Sequence, residues 1–153
     1  IDYDPAQVVV SGSIMAVEKA VELAIAHGAK RAMLLPVSAP FHSPLMQPAA
    51  EARARALGEV DFDLPVVPLV ANVRASSVSD PAVIRSLLVE QVTGSVRWRE
   101  SVMYMAEQGV TEIWEIGAGK ALSGMVRRIA RDIATRNVST PDEVRAAVEA
   151  MAN

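Results

Sequence analysis

Cysteine is absent from this 153-residue chain, which excludes disulfides, thiolate catalysis and cysteine-based metal sites together. Only two histidines occur, His27 and His42, far apart and without a carboxylate cluster at ligand spacing, so no metal centre is expected. The formal net charge of −3 lacks the basic excess of a nucleic-acid surface. No apolar run reaches the ~18 residues of a membrane-spanning helix, and no signal-type start is seen. The strained serine elbow G-x-S-x-G is missing, as are the dinucleotide fingerprint G-x-G-x-x-G and the Walker A pattern. Internal repeats, low-complexity tracts and long linkers are absent too.

What remains is half apolar, poor in aromatics and rich in Ala and Val, the profile of an α/β protein with a core about one domain in size. The run 7–12 reads as a strand and turn. Residues 13–28 read as a helix with Ser13 as cap, Gly28 as stop and Ile14, Val17, Val21, Ala24 and Ile25 on one face. Residues 30–37 read as a second strand, giving a β-α-β unit that needs more structure to cover both faces. Helices follow over 43–60, 80–92, 97–109, 121–133 and 140–151, with strands over 63–73 (broken by Pro68), 111–117 and about 136–140. This alternation predicts a largely parallel sheet in the second part. The chain begins at Ile1 rather than Met, directly before a strand, and reads as a fragment.

Few residues carry chemistry. "GAGK" (117–120) lacks the spacing and the Ser/Thr of a phosphate loop and reads as a strand-to-helix turn. His27 sits at a helix end, where the dipole favours it without any further role. His42, in "LPVSAPFHSPLMQPAA" (35–50), is open to two readings. It is a loop histidine held by Pro40 and Pro44, and it also lies between a strand and a helix, where α/β proteins place active-site groups.

Five segments, "PAQVVVSG", "AKRAMLLPVSAPFHSPLMQPAA", "VPLVANV", "LVEQVTGSVRW" and "EIGAGKALSGMVRRI", occur in the order found in the malonyl-CoA:acyl carrier protein transacylases. The chain resembles the C-terminal half of that family, and the acyltransferase domains of polyketide synthases look similar. The family's other half carries the G-x-S-x-G serine, the oxyanion glutamines and the arginine for the malonyl carboxylate, and this chain carries none of them.

The resemblance implies an α/β fold in which residues 1–38 are part of a small ferredoxin-like subdomain and residues 39–153 part of a large α/β hydrolase-like one. It implies a cytoplasmic enzyme that moves malonyl from coenzyme A to the phosphopantetheine thiol of acyl carrier protein, with no metal or redox cofactor. His42 matches the family's general base. Gln91 matches the residue whose main-chain carbonyl holds the other ring nitrogen, with no role for its side chain. Phe41 matches a position where malonyl-specific domains carry Phe and methylmalonyl-specific ones tend to carry Ser. Asn72 matches an asparagine near the cleft, in either a turn-stabilising or a substrate-binding role. Lys30 and Arg31 match basic residues facing the acidic carrier protein, and on residue type alone they are solvated strand-start charges. Ala118 stands where the family usually has Pro, which loosens that loop slightly. The expected partners are malonyl-CoA, acyl carrier protein and the serine-bearing N-terminal half, with neither nucleic acid nor membrane. Two other readings stand beside this one: the same piece of a polyketide synthase acyltransferase domain, and a non-catalytic interaction module.

If the Phe41 ring fills the space beside the acyl group, Phe41→Ser raises methylmalonyl transfer relative to malonyl in the assembled enzyme. One methyl group is worth about 1–3 kcal/mol in a pocket, so the switch is partial. An unchanged ratio of the two rates removes Phe41 from the acyl pocket.

Overall fold

The computed structural model describes residues 1–151, the Asp4 side chain excepted. The chain opens with a small antiparallel hairpin, β1 (Asp2–Asp4) against β2 (Gln7–Val8). Helix α1 (Ile14–Ala26) follows, and a 3-10 turn (Pro44–Met46) leads into α2 (Gln47–Gly58). A second hairpin pairs β3 (Leu69–Ala71) with β4 (Ser76–Val78). Then come α3 (Pro81–Glu90), α4 (Trp98–Glu107), β5 (Glu112–Ile116), α5 (Ala121–Ile129), β6 (Ala134–Val138) and α6 (Pro141–Met151). β5 and β6 run parallel with α5 as their crossover, from Glu112 opposite Ala134 to Ile116 opposite Val138.

Helix ends follow local chemistry. Asp80 accepts the amides of Ala82 (2.8 Å) and Val83 (3.1 Å), and Pro81 follows at the first helical position, where its missing N–H costs nothing. Thr140 and Glu143 form a reciprocal capping box at the start of α6, and amide bonds from Ser139 and Thr140 hold the Glu143 carboxyl below the usual carboxylate range. Gly28 has φ 91°, the left-handed stop that α1 needs. The core lies where α4 and α5 pack on the β5–β6 pair. Val102 and Val126 are fully buried beside Ile133, with Trp98, Met105 and Ile113 around them. Burying each such valine contributes about 1.5–3 kcal/mol. Asp2 joins the opening hairpin to α4 through Arg99, at 2.8 Å, and that pairing raises the guanidinium pKa.

The structure corrects several expectations. The 7–12 strand shrinks to Gln7–Val8, and 30–37 forms no strand at all among the described residues. No β-α-β unit therefore closes here: Met33, Leu34, Leu35 and Val37 are 44–60% exposed, and a strand exists only with a hydrogen-bonded neighbour. The expected 63–73 strand is cut to three residues, because Pro65 and Pro68 cannot donate to a ladder. It pairs antiparallel with β4 in a sheet of its own, so among the described residues the one parallel pair of strands is β5–β6, beside an isolated parallel bridge from Asp2 to Arg97. Helix α5 ends at Ile129 rather than at 133, which lets β6 begin at Ala134. Ser13 stands at the start of α1 without making a side-chain cap bond.

Glu115 does the capping for α5 from the neighbouring strand, because Lys120 at the cap position has no acceptor to offer. Its carboxylate accepts the amides of Leu122 (3.1 Å) and Ser123 (2.8 Å) and the Asn137 side chain (3.1 Å). The Ser123 hydroxyl first, then these groups, hold the Glu115 carboxyl below the usual carboxylate range. A depressed folded pKa stabilises the fold above the unfolded carboxylate pKa, and that contribution is lost as pH falls through the folded value. Thermal melts should therefore show Glu115→Gln below the parent at neutral pH, with the gap closing on acidification. A gap independent of pH would count against this linkage.

Candidate active site

The site begins with a turn that two prolines constrain. Pro44 pushes the residue before it towards extended backbone, and Ser43 accordingly has φ −135° and ψ 161°. His42 sits at φ 58°, in the left-handed region that a non-glycine residue rarely adopts. Such a conformation costs on the order of 1–3 kcal/mol and persists only where its surroundings over-determine it. Three bonds do so: Ser43 Oγ to the Pro40 oxygen (2.7 Å), the Met46 amide to the Ser43 oxygen (3.0 Å) and His42 Nδ1 to the Gln91 oxygen (2.8 Å).

The acceptor on Gln91 exists because α3 stops there. The last carbonyls of a helix have no partner within it. At this end the Thr93 and Gly94 amides both bond the Glu90 oxygen, and no described amide takes the Gln91 oxygen, which accepts from the histidine instead. Gly94 allows that return, since a Cβ there would lie 3.0 Å from both the Glu90 oxygen and Val73 Cγ1. A carbonyl oxygen only accepts, so Nδ1 carries the proton, and Nε2 of the neutral ring is left with a lone pair. Nε2 has no hydrogen-bond partner among the described residues. The arrangement is that of a base oriented at one nitrogen and available at the other.

Asn72 joins the same cluster: its Nδ2 donates to Gln91 Oε1 at 3.4 Å, and its main-chain oxygen accepts the Arg97 amide at 2.9 Å. The Gln91 side chain, given no role by the resemblance, thus has a partner. Arg97 is fixed in turn by Glu100, which raises the guanidinium pKa and lowers the carboxyl's. Phe41 is 45% exposed beside His42, while Lys30 and Arg31 lie in the extended stretch after α1, exposed and unconnected to this cluster. Of two open depressions, one of about 200 Å³ lies against Trp114 and Arg136, and one of about 250 Å³ lies against Arg97, Glu100 and Tyr104 at the edge of this cluster; neither is lined by His42. Among the described residues no group of three or more side chains could hold a metal ion, and no helix is long and apolar enough to cross a membrane. Sequence reasoning missed the left-handed histidine, the inward-turned Ser43 hydroxyl and the Asn72–Gln91 contact. The only signal for the first two was a Ser squeezed between His and Pro.

The fold is α/β and its site a histidine oriented at one ring nitrogen and open at the other, and solved structures share that fold. The acyl-carrier-protein S-malonyltransferase of Bartonella henselae superposes with a TM-score of 0.86 at 54% identity, covering 93% of this chain and 45% of that one. A malonyl-transacylase solved in complex with its type II polyketide acyl-carrier protein gives 0.83 at 39% identity, over 91% and 45%. In sequence, the malonyl CoA-acyl carrier protein transacylase of Bacillus subtilis is 43% identical over 147 residues, 96% of this chain and 46% of the relative. No protein-family model matches. The chain belongs to the malonyl CoA-acyl carrier protein transacylase family, as a counterpart of its C-terminal half. It spans about half the length of the curated relatives it matches.

Because the Gln91 oxygen belongs to the main chain, Gln91→Ala should leave the histidine contact in place. The loss should be confined to the Asn72 contact, about 0.5–1.5 kcal/mol of stability, read from denaturant midpoints. Collapse of the His42 ring signals in nitrogen-detected NMR would show instead that the side chain sets the carbonyl.

Proposed function

We propose that this chain supplies the general base of an acyltransferase that moves malonyl from coenzyme A to the phosphopantetheine thiol of acyl carrier protein. The 2.8 Å bond between His42 Nδ1 and the Gln91 oxygen carries this reading. In the reaction, Nε2 takes the proton of a serine hydroxyl contributed by the complementary half of the fold as its oxygen attacks the thioester carbonyl. The tetrahedral adduct collapses, the carbon–sulfur bond breaks, and the imidazolium returns the proton to the departing thiolate. The carrier thiol then repeats the cycle on the acyl-serine, giving up its proton to His42 and freeing the serine. A neutral carbonyl behind the ring fixes the tautomer without adding negative charge, enough for an exchange in which a thiolate leaves. The chemistry calls for no metal or redox cofactor.

The likeness to a transacylase bound to its acyl-carrier protein supports a carrier partner, with Lys30 and Arg31 as part of the docking patch. Residues 1–38 belong, on this reading, to a ferredoxin-like subdomain and 39–153 to a hydrolase-like one, in a cytoplasmic enzyme. The exposed Val8, Val10, Ile14, Met33, Leu34 and Leu35 would pack against the serine-bearing half, burying well beyond the ~1,600 Å² of a standard interface.

The test is to combine this chain with the serine-bearing half and assay malonyl transfer. The combination should be active and each part alone inactive, and His42→Ala should slow transfer by about 10²–10⁴-fold. Undiminished transfer by the His42→Ala enzyme would overturn the assignment, and a chain that neither binds the other half nor gains activity from it would favour an interaction module.

A further inference from the structure

Ser43 stands immediately before the 3-10 turn, where a serine ordinarily accepts an amide proton from the first helical residues. Here it makes no such cap bond, and the following Pro44 has no N–H to give. The hydroxyl turns back instead and donates to the Pro40 oxygen at 2.7 Å. Ser43 is only 4% exposed, so water does not compete for that bond. The bond spans Phe41 and His42, and His42 is one of only two non-glycine residues with positive φ among those described. A hydroxyl diverted from its usual capping bond, buried, and closed across the one strained residue of the turn is acting on that residue.

We propose that Ser43 is a positioning residue for the base: its hydroxyl latches the 40–43 turn, holds His42 left-handed, and so keeps Nδ1 on the Gln91 oxygen and Nε2 in its accepting form. The proposal rests on the reading of His42 as base, although the latch itself is defined by geometry alone. Ser43 bonds to Pro40 rather than to the ring, so its effect on the base is carried by the backbone of His42.

The test uses the enzyme assembled from this chain and its serine-bearing half, as parent, Ser43→Ala and Ser43→Thr. Long-range proton–nitrogen NMR reads the His42 tautomer, and steady-state transfer separates kcat from KM. Ser43→Ala should convert the Nδ1–H pattern to a tautomer mixture and lower kcat by about 10–100-fold, with KM for malonyl-CoA nearly unchanged. Ser43→Thr, which keeps the hydroxyl on an extended backbone that suits it, should recover most of both. An Ala variant with the parent ring pattern, or a Thr variant as impaired as the Ala, would overturn the latch. If Ser43→Ala fails to fold, the Thr variant decides: a parent-like ring pattern supports the latch and its loss overturns it. A shifted tautomer with unchanged kcat would leave the latch standing and remove His42 from the chemistry.

Discussion

The bond from His42 Nδ1 to the Gln91 oxygen joins segments 49 residues apart in the chain, and everything built at the site depends on where α3 ends. Had the helix run one turn further, the amide of Ser95 would take that oxygen and the histidine would lose its anchor. The chain avoids this by tightening the last turn, where the Val92 and Thr93 amides bond three residues back to Val89 and Glu90, and Gly94 fits a place where a Cβ would meet the Glu90 oxygen and Val73 at 3.0 Å. Helix termination, ordinarily a matter of local stability, here creates the acceptor that orients the ring.

The choice of a carbonyl rather than a carboxylate has consequences of its own. A carboxylate behind the ring would fix the same tautomer and also stabilise the imidazolium, strengthening the base. A carbonyl orients without that added charge. If His42 is the base, as proposed, precision of placement then matters more, because less of its competence comes from a partner charge. The strained backbone of His42, held by bonds on both sides, fits that demand. The Asn72 contact adds a second hold on Gln91 from the β3–β4 turn.

The later helices were legible because their ends are written in short-range chemistry, as in Asp80-Pro81 and the Thr140–Glu143 box. The hairpin of β3 and β4 was not. Its turn places Ala75 at φ 53° with no glycine or Asn-Gly pair to announce it, and the conformation is imposed by the strand register. The stretch 30–37 has the composition of a strand, but strand formation depends on a neighbour, which composition cannot supply. At the site, Pro40 and Pro44 marked a constrained turn, yet nothing local pairs residue 42 with residue 91. That pairing came from resemblance to a family. The diverted Ser43 hydroxyl lay beyond both routes, because its direction depends on a backbone angle that no residue type there dictates.

The burial pattern adds a last step. The closed core belongs to α4, α5 and the β5–β6 pair, whereas large apolar side chains are exposed along 8–37 and again at Leu64, Val66 and Val67. Those two stretches flank, in sequence, the turn that carries His42 and the helix that follows it. On the transacylase reading, the histidine's segment therefore lies between stretches whose apolar side chains would be covered by the serine-bearing half. A base so placed can be held rigidly from one side while its open nitrogen meets a nucleophile from the other. The described bonds that hold His42 come from its own segment and from the end of α3, so on that reading the base is oriented entirely within this part of the fold, leaving the presentation of a serine as a separate task.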